Sequence, residues 1–237
     1  MPEEDSGASK WKWWTGISAD ISLHRKMEMS VGFIKAFNLE NPVVSSFNQT
    51  SGSLDYAFTR HLDTRIGAIF TLSPPNGEGI YRYFFRVNAK TNINRWLSWS
   101  NAVQAEKFSA AETRFDSRLI YITRLGFRKR IDFLRLSPSV TGWLYYNLGG
   151  KSIPQYDAMD NPLGKRVPSG FHRGRIILNV NSKITDAVSL NVYYMRQQEF
   201  NLFAPGRQIN VTNPDTGKIY RPFSNYNVIG ISLKLNV

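Results

Sequence analysis

Residues 81–93 read Tyr81-Arg-Tyr-Phe-Phe-Arg-Val-Asn-Ala-Lys-Thr-Asn-Ile93, and they alternate. Tyr81, Tyr83, Phe85, Val87 and Ala89 fall on one face of an extended chain. Arg82, Arg86, Asn88, Lys90 and Asn92 fall on the other, with Phe84 the exception. Period-2 alternation marks a strand whose two faces meet different surroundings. The run is also longer than the roughly 5–6 residues usual for strands of soluble domains.

The same rhythm extends in both directions. Trp11, Trp13, Thr15, Ile17, Ala19, Ile21 and Leu23 oppose Lys12, Trp14, Gly16, Ser18, Asp20 and Ser22. Val188, Leu190, Val192 and Tyr194 oppose Ser189, Asn191, Tyr193 and Gln197. Ile229, Ile231, Leu233, Leu235 and Val237 oppose Gly230, Ser232, Lys234 and Asn236. Strands are predicted over 11–23, 27–37, 50–60, 64–72, 80–93, 96–106, 114–126, 131–146, 171–183, 188–200 and 225–237. Most have the length of a tilted strand crossing a bilayer, about 9–11 residues.

Connections alternate between short (24–26, 61–63, 94–95, 127–130, 184–187) and longer (38–49, 73–79, 107–113, 147–170, 201–224). Tight turns on one rim and long loops on the other describe an outer-membrane barrel. Only Pro138 of the 11 prolines falls inside a predicted strand, as expected of a residue that cannot donate to a ladder. The expectation is an all-β, antiparallel, up-and-down transmembrane barrel of about ten to twelve strands over 11–237, preceded by a tail at 1–10. A soluble sandwich or lipocalin-like barrel also alternates. The Arg, Lys, Asn and Gln on the second face, and aromatics gathered at strand ends, favour the membrane.

Eleven predicted segments sit awkwardly with the even strand numbers of bacterial single-chain barrels. An uncounted strand, a tail returning through the lumen, or a shortened N-terminus would each restore parity. Met1-Pro-Glu-Glu-Asp lacks the basic start and apolar core of a signal peptide, so export is expected to depend on a leader outside this sequence.

Composition removes other classes. No stretch approaches 18 consecutive apolar residues, so a membrane-spanning helix is excluded. With 0 Cys there is no disulfide framework, zinc finger or thiol chemistry. Neither a cofactor nor a metal site is expected, because no phosphate loop appears and Asp157-Ala-Met-Asp160-Asn lacks calcium-loop spacing. The net charge of +12 fits a nucleic-acid footprint, yet no accompanying motif supports that partner.

Several stretches resemble a family of outer-membrane β-barrels of Gram-negative bacteria classed as a domain of unknown function. They are Trp14-Thr-Gly-Ile-Ser, Leu54-Asp-Tyr-Ala-Phe-Thr-Arg-His-Leu-Asp63, Glu112-Thr-Arg-Phe-Asp-Ser-Arg-Leu, Tyr194-Met-Arg-Gln-Gln-Glu-Phe-Asn and Tyr226-Asn-Val-Ile-Gly-Ile-Ser-Leu. The resemblance covers most of 11–237. It implies an integral outer-membrane barrel and supplies no catalytic residues. Barrels of this kind usually end on an aromatic residue, whereas this chain ends on Val237.

If the polar face is lumenal, basic side chains crowd the interior. The candidate cluster is Arg82, Arg86, Lys90, Arg114, Arg118, Arg135, Arg173 and Arg175. With Lys12, Arg65, Arg124 and Lys234 on the same face, these outnumber the inward acids Asp20, Glu28, Asp55, Glu106 and Asp116. Such a surplus favours anions. It equally suits a small barrel plugged by its own side chains. A small anion-preferring pore and a structural or partner-binding barrel therefore both stand. Arg25, Lys26, Arg95, Arg128, Lys129 and Arg130 lie in or beside short turns, where outer-membrane lipid headgroups are the expected partner. Loops 147–170 and 201–224 mix aromatic and basic residues suited to lipopolysaccharide or a protein partner. An outer-membrane hydrolase is the rival reading, and it requires His172 to meet an acid and a hydroxyl such as Ser169 at the outer rim.

Overall fold

The computed structural model describes residues 10–73, 77 and 79–237. In chain order the strands are β1 (Lys10–His24), β2 (Met27–Asn38), β3 (Val44–Ala57), β4 (Leu62–Leu72), β5 (Ile80–Asn92), β6 (Leu97–Phe108), β7 (Ser117–Phe127) and β8 (Leu136–Leu148). They continue with β9 (Ile153–Tyr156), β10 (Pro162–Arg166), β11 (Gly170–Lys183), β12 (Val188–Leu202), β13 (Val211–Thr212), β14 (Ile219–Tyr220) and β15 (Tyr226–Asn236). Eleven of these close into one barrel, while β9–β10 and β13–β14 form two small ladders within the longest loops.

Parity is settled at the seam. The barrel is odd because β15 pairs with β1 in parallel, from Lys10↔Tyr226 to Asp20↔Asn236, and every other barrel pair is antiparallel. The eleven predicted strands are the eleven of the barrel, and no uncounted strand is needed: one parallel pair lets an odd set close. Inside the barrel, Lys234 and Asp20 form an ion pair across the seam, and Lys12 stands 4.7 Å over the Tyr226 ring. Trp14 packs on the same ring at 6.5 Å. The proposed return of the tail through the lumen concerns residues outside the described part of the chain.

Local chemistry sets the short turns. The Asn94 side chain accepts hydrogen bonds from the Trp96 and Leu97 amides at 2.7 and 2.9 Å. The Thr59 and Thr185 hydroxyls do the same for Leu62 and Val188. Side chains that imitate a backbone turn in this way reverse the chain within a few residues.

Alternation then decides the two surfaces. Phe85 is 50% exposed on the outside, while its neighbour Phe84 is 8% exposed and faces the lumen. On the outer face Trp99 donates to Thr123 and Tyr121 to Asn101, so these rings keep apolar bodies outward with their polar tips satisfied. Ile17, Ile66, Tyr83, Val103, Ile176 and Val192 are likewise exposed. An apolar exterior around a charged interior is the arrangement of a transmembrane barrel, and the fold points to an outer membrane.

Two inward glycines make room for rings from the neighbouring strand. A Cβ on Gly67 would lie 2.7 Å from Phe84 Cζ, and one on Gly230 would lie 2.1 Å from Tyr193 Cζ. Each glycine is paired directly with the aromatic residue that covers it.

The observed boundaries depart furthest from expectation at three strand starts. β3 begins at Val44, shortening the loop before it. β7 begins at Ser117, which leaves Arg114 in the preceding loop. β8 begins at Leu136 after a short 3-10 turn, Phe133–Arg135. Pro154 and Pro162 also turn out to lie in strands, both in the small β9–β10 ladder rather than the barrel wall.

Candidate functional site

The lumen encloses about 1600 Å³, running from the short-turn rim at His24, Arg25 and Lys26 up to Glu112, Arg114 and Phe115 beneath the long loops. Thirteen basic side chains line it against six acidic ones. The surplus arises because every second strand of this part of the wall places arginine at inward positions: Arg82 and Arg86 on β5, Arg118 and Arg124 on β7, Arg173 and Arg175 on β11.

The long-loop half holds the densest cluster. Arg118, 6% exposed, donates through Nε and Nη2 to Glu106 at 3.1 and 2.5 Å. Gln104 donates to the other oxygen of Glu106 at 2.5 Å, and Arg82 stands 3.9 Å from that carboxylate. Arg82 itself donates to Gln49 at 2.9 Å, and Arg86 donates to Gln104 at 2.6 Å. Arg173 pairs with Glu199, which also has Arg114 at 3.7 Å and accepts from the Ser224 amide. Arg175 is held by neutral groups: Gln197 at 2.8 Å and the Tyr226 hydroxyl at 3.3 Å.

Aromatic rings support these cations. Arg118, Arg175 and Arg173 lie 4.8, 5.3 and 5.8 Å from the centre of Tyr145, and Arg118 lies 5.1 Å from Phe108. The π-face eases three like charges into one small volume.

Six of the eight predicted cluster members thus line the same cavity: Arg82, Arg86, Arg114, Arg118, Arg173 and Arg175. Arg114 reaches it from a loop rather than a strand. Lys90 lies lower, in a separate depression at the short-turn rim with Arg60, Arg124 and Arg128. Arg135 is not lumenal: it ends the turn before β8 and meets Asp186 at 3.4 Å on the rim. Lys183 and Arg135 beside Asp186 hold that carboxyl below its ordinary range.

Glu199, central to the site, was absent from the expected acids. Its alternation was readable, since it has the parity of Ser189, Asn191, Tyr193 and Gln197. Gln49, Gln104 and Tyr145 were legible only as inward positions; that they gather arginines depends on the register between strands.

The long loops build a braced cap. Arg221 donates to the carbonyls of Arg114, at 2.7 Å, and Lys151, tying three loops together. Gln155 and the Gln208 backbone exchange two hydrogen bonds at 3.0 and 2.9 Å, and Asn201 exchanges two with Ile209. Phe115, Ile153, Ile209 and Val211 are buried beneath. The hydrolase arrangement does not form here. Ser169 accepts from the Gly149 amide, Asp157 is engaged by Met159 and Asn161, and His172 is buried with no well-formed hydrogen bond to either ring nitrogen among the described residues.

No family model and no curated protein matches this chain. Among solved structures, a similar chain is described as the "NanC porin structure in rhombohedral crystal form", with 10% identity, a TM-score of 0.47, and 94% of this chain and 99% of that chain covered.

Proposed function

We propose that this chain is a Gram-negative outer-membrane barrel that passes small anions through its lumen, with the long-loop cap facing outward. The excess of guanidinium over carboxylate groups along the cavity carries this reading. A low-dielectric wall with one sign of charge concentrates counter-ions of the other. Arg86 and Arg124 best represent the mobile share of that field, because neither makes an ion pair among the described residues.

The test is conductance of the full chain in planar bilayers under a salt gradient. A small conductance with an anion-favouring reversal potential is expected, small because long arginine side chains project into the lumen. Arg86→Glu with Arg124→Glu should move that potential toward cation preference. No conductance above background would overturn the reading and leave a structural or partner-binding barrel. The basic short turns suit anionic lipid headgroups, each charge being worth roughly 1 kcal/mol near such a surface.

A further inference from the structure

We propose that the arginines around Tyr145 form a binding site for a single doubly charged oxyanion, of the class of inorganic phosphate or a phosphate monoester. The inference rests on the proposal that anions enter the lumen. It adds a saturable site to what would otherwise be a diffuse field.

Charge counting leads to the class. Arg82, Arg118, Arg173 and Arg175 converge on the long-loop half, and Glu106 and Glu199 are the carboxylates within reach of them. Arg118 and Arg173 each hold one carboxylate through close contacts. Arg82 stands 3.9 Å from a carboxylate already engaged by Arg118 and Gln104, and Arg175 has only an amide and a phenol. Among the described residues Arg82 and Arg175 are thus left without a carboxylate of their own, while Glu199 is already shared between Arg173 and Arg114. Charges taken out of bulk water require partners or water. One dianion would neutralise both, whereas acetate or chloride would leave half the surplus.

Donor geometry points the same way. The planar forks of Arg82 and Arg175 suit the spread oxygens of a phosphoryl group better than a point ion. Arg82 reaches the carboxylate that Arg118 holds, and Arg118 and Arg175 lie 4.8 and 5.3 Å from the centre of the Tyr145 ring. These like charges share one region of the lumen, and an oxyanion there would relieve their repulsion. Tyr145, 1% exposed, forms part of the cavity wall, and its hydroxyl has no hydrogen-bond partner among the described residues. An orphaned hydroxyl in a ring of guanidinium groups is a donor held in reserve for an acceptor that arrives with the ligand.

The experiment is titration of the purified full chain in detergent, followed by tryptophan fluorescence and calorimetry at constant ionic strength. Trp143, paired with Arg175, is a reporter at the site. Inorganic phosphate is the probe, with glycerol phosphate, sulfate, acetate and chloride as further arms. Saturable phosphate binding is expected, shared by glycerol phosphate if the site takes esters and at least tenfold tighter than acetate or chloride. Arg175→Gln should weaken it about tenfold and Tyr145→Phe about threefold. Should Arg175→Gln misfold, judged by heat-shifted gel mobility, Arg82→Gln provides the same reading from another strand. Phosphate no tighter than acetate, or folded arginine variants binding phosphate unchanged, would overturn the site. An anion-selective barrel without phosphate binding would sink this inference alone. Phosphate binding without conductance would sink the pore alone.

Discussion

The two sides of the lumen are built from opposite materials. From β5 round to β12 the inward positions carry Arg82, Arg86, Arg118, Arg173 and Arg175 with Tyr145 and Trp143. Across β1 to β4 the middle inward positions are Gly16, Ser18, Ser30, Gly32, Ser51, Ser53 and Gly67. Small barrels have interiors just wide enough for side chains to fill. Long side chains on one arc thus require short ones on the other if a cavity of about 1600 Å³ is to persist. The contrast teaches that the open volume is a property of pairing across the barrel, not of either arc alone.

The largest effect that would break this asymmetry is on the charged arc. Glu106→Gln removes the carboxylate that Arg118 grips through two nitrogens and that Arg82 faces. Removing one partner of a buried pair typically costs about 3–5 kcal/mol, because the other charge is left uncompensated. Urea unfolding followed by gel mobility should show a loss of that size. A loss below about 1 kcal/mol would mean that water, not Glu106, supports Arg118.

The next test bears on which way the arc faces. Phe85 lies on the outer surface of β5 between Phe84 and Arg86, both of which line the lumen. Phe85→Arg should cost about 2–4 kcal/mol if that position lies near the bilayer midplane. The same unfolding assay in lipid vesicles checks it. A neutral result would contradict a lipid-facing exterior.

Sharpening the small-residue arc comes third. A Cβ at Gly67 would sit 2.5 Å from the Gly52 carbonyl oxygen and 2.7 Å from both Phe84 Cζ and Ser53 Cβ. Backbone cannot yield as a flexible side-chain end can, so Gly67→Val should cost about 1–3 kcal/mol by overpacking. Gly52→Ala provides the contrast, since its Cβ would meet nothing within 4 Å. If both substitutions cost the same, tight packing is not what keeps this arc small.

How much of this was readable follows from the range of each interaction. Residues 81–93 revealed both faces of β5 because alternation is a local property of one strand. The arginines of β5 and β11 were legible for the same reason. Arg135 falls outside the lumen because the alternation begins five residues before the real start of β8 at Leu136, in the stretch where Ile131 bridges to Leu136 and the turn closes. Glu199 could have been found by continuing the β12 parity. The parallel seam, the Tyr145 gathering and the Arg221 brace join segments far apart in sequence, and no local pattern announces them.

The smallest expected effect is at the seam that joins the small-residue arc to the charged one. Asp20 and Lys234 pair there; the Asp20 side chain is 12% exposed, but the Lys234 side chain is 37% exposed and leaves the pair open to the lumen on that side. Pairs open to solvent contribute about 0–1 kcal/mol and are screened by salt. Parallel ladders are also slightly less stable per residue than antiparallel ones, so the seam is where a small change is most readable. Asp20→Asn should lower unfolding stability by less than about 1 kcal/mol at low salt and by almost nothing in 1 M salt. The check is the pair of unfolding curves at the two salt concentrations. A loss of several kcal/mol, insensitive to salt, would show the seam to be held by this ion pair. A small, screened loss would instead assign closure to the backbone ladder and to the packing of Lys12 and Trp14 on Tyr226.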